Sequence, residues 1–276
     1  VIIVVMFTFA TNSIAGAATK TASQTASAGN ITATYSYSPH PPFSQHSNLK
    51  ITENGQVVYN QVVSSVWCGK ACWPDIITKG TKVVHVVKLQ PTGSASVVLD
   101  LYSGGAHCCS IEQVYAFKPH STVVRKFEHN FGDPGEQLVK IGPKHSYDFL
   151  SADDKFAYEF TDYAASGMPI EILSFAGNSF KNITRSFPGL IAKDAQVWIN
   201  AFKSQASSHY DDSVGVVAAW AADEDMLNHS AAVASFLATQ VKAGHLNSAL
   251  SPITSGGQKF VLALQAFLRN QGYLKQ

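Results

Sequence analysis

The sequence predicts an α+β protein: an N-terminal antiparallel all-β region built from propeller-like sheet repeats, followed by a C-terminal helical-hairpin domain. Three observations predict it. Through residues 30–189, short runs rich in Val, Tyr, Phe and Thr are separated by turn signals at intervals of about 8 to 15 residues, the pattern of antiparallel strands. After Pro188-Gly189 the apolar residues recur with a helical period. Within the β region one segment recurs at a spacing of about 50 residues, the size of a four-stranded propeller-type sheet unit.

Composition narrows the classes. Of 276 residues, 46% are hydrophobic and 14% charged, against roughly 25% charged in an average soluble domain, which excludes intrinsic disorder. Twenty basic residues against nineteen acidic leave a net charge of +1, so no large field draws the chain to nucleic acid or to an anionic membrane. The apolar run VIIVVMFTFA, followed by Ala15-Gly16-Ala17, reads as a signal peptide over 1–17 cut after Ala17. It is shorter than the roughly 20 apolar residues of a membrane span, and no membrane span is expected in the mature chain. The absence of Met and of a basic segment before Val1 implies a truncated start. Residues 18–29, mostly Ala, Thr, Ser and Gln, read as a flexible spacer. The expected location is secreted or periplasmic, where cysteines are oxidised.

The elements follow in order. Asn54-Gly55 between the runs 48–52 and 56–59 is a strong hairpin signal. Further strands are expected at 83–89, 96–102, 112–117, 122–127, 156–160 and 170–175. In the helical part, 190–276, Ile191, Ala195, Trp198 and Phe202 form one apolar stripe. Asp212 or Ser213 is placed to cap a second helix carrying Val216, Val217 and Trp220. Ser230 is placed to cap a third, with Val233, Phe236, Leu237 and Val241, closed by Gly244. A last helix runs from about Gln258 through Val261, Leu264, Phe267 and Leu268 and stops at Gly272.

The repeat aligns 87–97 with 139–149, both reading V-K-(L/I)-x-P-x-x-S-x-(S/D)-(V/F). The arrangement resembles the FG-GAP or VCBS repeats of exported bacterial proteins, whose D-x-D-G-D-G turn holds calcium. That resemblance implies acidic residues at Lys88, Gln90, Thr92 and Ser96 in the first unit and at Lys140, Gly142, Lys144 and Asp148 in the second. Only Asp148 is acidic, so calcium binding at these turns, and any cofactor, is not expected. The stretches 100–109 and 153–160 are similar to segments of uncharacterised exported proteins of this kind. A β region of this length holds three such sheets at most, while closure takes at least four blades. A closed propeller is therefore not expected.

Four cysteines, Cys68, Cys72, Cys108 and Cys109, read as two disulfides with three pairings open; the local pairs are favoured, with crossed pairs close behind. The alternative is a soft metal site at His107, Cys108 and Cys109. Asp153, Asp154 and Glu159 lie in the densest acidic stretch, and paired carboxylates there would suit glycoside hydrolysis; on a strand over 156–160, Glu159 would project opposite Phe156, Tyr158 and Phe160. Aromatic residues on polar loops, among them Trp67, Trp73 and Tyr102, together with His107, are candidates for binding sugar or peptide. No G-x-S-x-G, H-E-x-x-H or P-loop motif is present. The expected function is a non-enzymatic binding or interaction module of the cell envelope or extracellular space, with carbohydrate or another envelope protein as partner. The alternative is an exported carbohydrate-active hydrolase or metal-binding protein.

Overall fold

The computed structural model describes residues 21–76, 80, 82–117, 123–142, 146–207, 213–246 and 256–274; the expected leader over 1–17, Asp212 and His145 lie outside them. The first sheet is a meander of β1 (Ala22–Ala28), β2 (Ile31–Tyr37), β3 (Asn48–Glu53) and β4 (Gln56–Val62). Asn54 and Gly55 take φ of 51° and 79°, the left-handed pair that a two-residue hairpin turn demands, and set Glu53 against Gln56. β1 corrects the reading of 18–29 as a spacer. Its small side chains carry little hydrophobicity, yet they alternate. Ala22, Gln24, Ala26 and Ala28 are half-buried while Ser23, Thr25 and Ser27 are exposed, and Thr25 and Ser27 pair with the hydroxyls of Thr34 and Thr32 at 3.1 and 2.9 Å.

The second sheet is centred on β7 (Ser96–Gly105) and β8 (Cys108–Phe117), which have β9 (Val124–Gly132) on one edge; on the other, β5 (Trp73–Pro74) and β6 (Val84–Val87) both pair with β7. The third sheet is a meander of β10 (Glu136–Val139), β11 (Asp148–Ala152), β12 (Ile170–Ala176) and β13 (Ser179–Asn182). The two copies of the repeated segment fall on equivalent hairpins: Val87 faces Ser96 in the second sheet and Val139 faces Asp148 in the third. They also touch, Tyr147 N–H donating to the Lys88 carbonyl at 2.8 Å. The three sheets close into neither a barrel nor a propeller.

The second sheet lies between the other two, and the period of two along its strands sorts its side chains. Val97, Leu99, Leu101, Ile111 and Tyr115 pack with Ile31, Tyr35, Leu49 and Ile51 of the first sheet. Val98, Val114 and Ala116 pack with Phe149, Leu173 and Phe175 of the third.

Four helices follow among the described residues: α1 (Pro188–Ser207), α2 (Val214–Met226), α3 (Ser230–Ala243) and α4 (Gly257–Asn270). α2 is buried without a break over 214–223, the mark of a helix apolar on every side. A Cβ on its Gly215 would overlap the Ala165 carbonyl oxygen. Two cap expectations are corrected. Ser213 stands at the N-cap of α2, but its hydroxyl donates to the His245 carbonyl at 2.7 Å instead of accepting from the helix. The N-cap of α3 is His229, with Ser230 already inside the helix. Gly244 does close α3, at φ 73°. The Arg185 guanidinium donates to the carbonyls of Met226, Gly272 and Tyr273, satisfying the last carbonyl of α2 and two just past α4.

Residues 156–160 are not a strand. Asp153 accepts from Lys155 N–H at 3.1 Å and caps a single 3-10 turn, and Tyr158 takes φ 62°. The alternation F-x-Y-x-F looks like a strand, but Phe156 and Phe160 both enter the helical core, packing edge-on against Phe267 at 4.9 and 5.3 Å. That core therefore draws on residues from both sides of Pro188. No helix among the described residues is long and apolar enough to cross a membrane.

Candidate functional site

On the face of the second sheet that meets the third, two carboxylates interrupt the apolar residues. Asp100 of β7 stands directly opposite Glu112 of β8, two positions along from Val98 and Val114, so the same alternation that buries those valines turns both acids inward. Glu136, the first residue of β10, comes from the third sheet. Asp100, Glu112 and Glu136 are 2%, 0% and 4% exposed, and one carboxylate oxygen from each lies within 4.8 Å of the other two. His85, on β6 opposite Val98, places Nε2 3.1 Å from Asp100 Oδ2. Asp100 Oδ1 is buried with no hydrogen-bond partner. His129 of β9, opposite Glu112, rests on Phe131 and Phe180; burial first, then the charge of Lys155, holds its pKa below the ordinary histidine range.

A cavity of about 740 Å³ opens onto this cluster. Thr25 and Ser27 of β1 form one wall and His85 of β6 another, while Glu136, Gln137 and Leu138 of β10 face them. Asp100, Lys82 and Tyr147 complete the lining. The strand misread as a spacer thus builds part of the pocket, and the repeated segment contributes Val87 and Tyr147 to it.

The residues singled out in the sequence lie elsewhere. Asp153 accepts from Lys155 N–H, from Lys155 Nζ at 3.3 Å and from Tyr273 O–H at 2.8 Å. Asp154 accepts from Asp133 N–H at 3.4 Å; burial raises its pKa, that hydrogen bond opposes the rise, and Asp133 and Asp153 add to it. Burial also raises Glu159. These three do not come together as a ligand set among the described residues, and none of them lines the cavity. Trp73 packs between Phe43 at 5.3 Å and Tyr102 at 6.3 Å, with the Tyr102 hydroxyl donating to the Gly105 carbonyl. His107 lies over Tyr163 at 4.4 Å. Trp67 is 43% exposed on the loop beside Cys68. None of these lines the cavity either.

Cys68 is bonded to Cys72 and Cys108 to Cys109, and no cysteine is free. With their sulfurs paired, Cys108 and Cys109 are not placed as thiolate ligands beside His107 in this structure.

The sequence did carry a signal for the seam. Asp100 lies in V-V-L-D-L and Glu112 in S-I-E-Q-V, and a charge at an inward position of a buried strand is costly unless something compensates it. No family model, curated protein or solved structure matches this chain. The function must therefore be argued from the residues.

Proposed function

We propose that the chain is an exported, non-enzymatic binding module that takes a carbohydrate in the cavity beside the seam of the second and third sheets. The observation that carries this reading is the lining: hydroxyls at Thr25 and Ser27, an amide at Gln137, carboxylates at Asp100 and Glu136, and the ring of Tyr147. Sugars present hydroxyls that such groups bond in both directions, and an aromatic ring offers a face to their C–H groups. The leader over 1–17 and the paired cysteines support export. The FG-GAP or VCBS resemblance, carried by hairpins of matching register, supports a repeat-built scaffold. Hydrolysis takes second place because Asp153 is committed to Lys155 and Tyr273 and the cavity lies elsewhere.

The test is a glycan array probed with the full chain, followed by calorimetry on the oligosaccharide retained. Tyr147→Ala and Gln137→Ala should each weaken binding about 10-fold, with no release of reducing ends. Retention of no glycan would end this reading. Sugar release by the wild type that Asp154→Asn abolishes would replace it with the hydrolase.

A further inference from the structure

We propose that Asp100, Glu112 and Glu136 hold one hard divalent cation, of the calcium, magnesium or manganese class, clamping the second sheet to the third. Three carboxylates brought within one ligand sphere repel each other, and burial withdraws the water that would screen them. Such a cluster is relieved by basic side chains beside it, by protons shared between the acids, or by a cation between them.

One oxygen of the cluster is open to the last of these. Asp100 uses Oδ2 to hold His85, while its Oδ1, in a residue 2% exposed, has no donor at all. A cation supplies the missing partner without a proton. His85 then acts as a positioning residue behind a ligating carboxylate, fixing its orientation.

Geometry and ligand chemistry agree. Oxygens around a calcium ion at about 2.3–2.6 Å lie no more than about 5 Å apart, and the three carboxylate oxygens here lie within 4.8 Å. An all-carboxylate set selects hard cations over copper. The cavity reaches Asp100 and Glu136, giving water access to the remaining coordination positions. The site is distinct from the turns where the repeat resemblance would put calcium, because its ligands stand on β7, β8 and β10. The inference shares Asp100 and Glu136 with the carbohydrate reading, but it requires no organic ligand.

The experiment is run on the full chain, stripped with EDTA and exchanged into metal-free buffer, with no sugar present. Calcium, magnesium and manganese chlorides are titrated in separately by calorimetry, and thermal unfolding is recorded at each concentration. One equivalent of at least one of them should bind and raise the unfolding midpoint progressively. Asp100→Asn and Glu112→Gln should each lower that affinity by about 10-fold or more. Should Glu112→Gln fail to fold, Asp100→Asn and Glu136→Gln provide the same comparison. Absence of binding by all three cations overturns the proposal. So does binding that Asp100→Asn and Glu136→Gln leave unchanged, or a metal-independent stability that rises as the acids are protonated. Because no sugar is present, failure here leaves the carbohydrate reading standing, and an empty glycan array leaves this one standing.

Discussion

Among the described residues, two buried acidic clusters differ in how their carboxylates are partnered. Where the third sheet meets the helices, Asp153 and Asp194 are committed to donors, while Asp223 lies beside Asp194 with no N–H or hydroxyl donor of its own. Asp153 holds Lys155 and Tyr273, and Asp194 accepts from Ile170 N–H and Trp198 Nε1–H, both at 2.9 Å. Where the second sheet meets the third, Asp100, Glu112 and Glu136 face one another beside a cavity. A carboxylate surrounded by backbone, lysine and tyrosine donors fastens a fold. Carboxylates turned toward each other make a receptor for positive charge. Density of acids along the chain pointed to the first cluster, and geometry points to the second.

The largest effect tests what buries the helix-side cluster. Phe160 is 2% exposed and packs edge-on against Phe260 at 5.5 Å as well as Phe267. Phe160→Ala should cost about 3–5 kcal/mol, the transfer loss plus the cavity left behind. Urea unfolding of the purified variant measures it. A cost below about 1 kcal/mol would mean that this loop is not anchored in the helical core.

The contrast between the clusters is sharpest when the same substitution is made in each. Asp153→Asn removes a charged acceptor from Tyr273 and weakens the cap over Lys155, which should cost about 1–3 kcal/mol. Asp100→Asn, measured in EDTA, removes the charge from the acceptor of His85 but also relieves repulsion from Glu112 and Glu136, so its net change should stay within about 1 kcal/mol. Parallel denaturant titrations decide it. Equal losses at both positions would erase the distinction drawn here.

Legibility in the sequence followed the same division between local and non-local causes. The Asn54-Gly55 hairpin, the strands at β6 to β9, β12 and the four helices were readable because a turn or a period states them within a few residues. β1 was hidden because alanine and serine alternate without contrast, and only pairing with β2 reveals the pattern. Residues 156–160 were misread because Phe156 and Phe160 satisfy a period of two, while the core they enter is assembled from α2 and α4. The seam was only partly legible, as inward charges in apolar runs, for a stronger reason. Asp100, Glu112 and Glu136 are solitary acids in three separate strands, and only the stacking of two sheets brings them together. The cluster at Asp153, being contiguous, was conspicuous.

Acid should act on the helix-side cluster with a definite sign. Burial first, then the charge of Asp153, pushes the Glu171 carboxyl up to about 7, with Lys155 and a hydrogen bond from Asn182 working against the rise. Asp223, raised by burial and then by Asp194 beside it, reaches about 10. A carboxyl whose pKa is higher folded than unfolded binds its proton more tightly in the native state. Stability is then greatest below the unfolded value and falls as pH rises toward the folded one. For Glu171 that window runs from 4.5 to about 7. Glu171→Gln should remove on the order of 1 kcal/mol of the decline across it, read from unfolding free energies at successive pH values. A wild-type slope that the variant leaves unchanged would assign the decline to other groups.

The smallest effect concerns the wall of the cavity above the seam. Thr25 is exposed, and its hydroxyl meets that of Thr34 across the β1–β2 pair at 3.1 Å. Thr25→Ala removes that bond and a β-branched side chain from an edge strand, which should cost about 0.2–1 kcal/mol. The substitution leaves the tether from Gln24 intact, whose side-chain oxygen accepts from Val83 N–H in the second sheet at 3.0 Å. Amide exchange in β2 should therefore quicken only slightly, and most at Thr34. If Thr25→Ala changed nothing while Gln24→Ala released the whole strand, β1 would be held by its contact with the second sheet more than by its pairing with β2. The cavity would then depend on the same inter-sheet packing that brings the three carboxylates together.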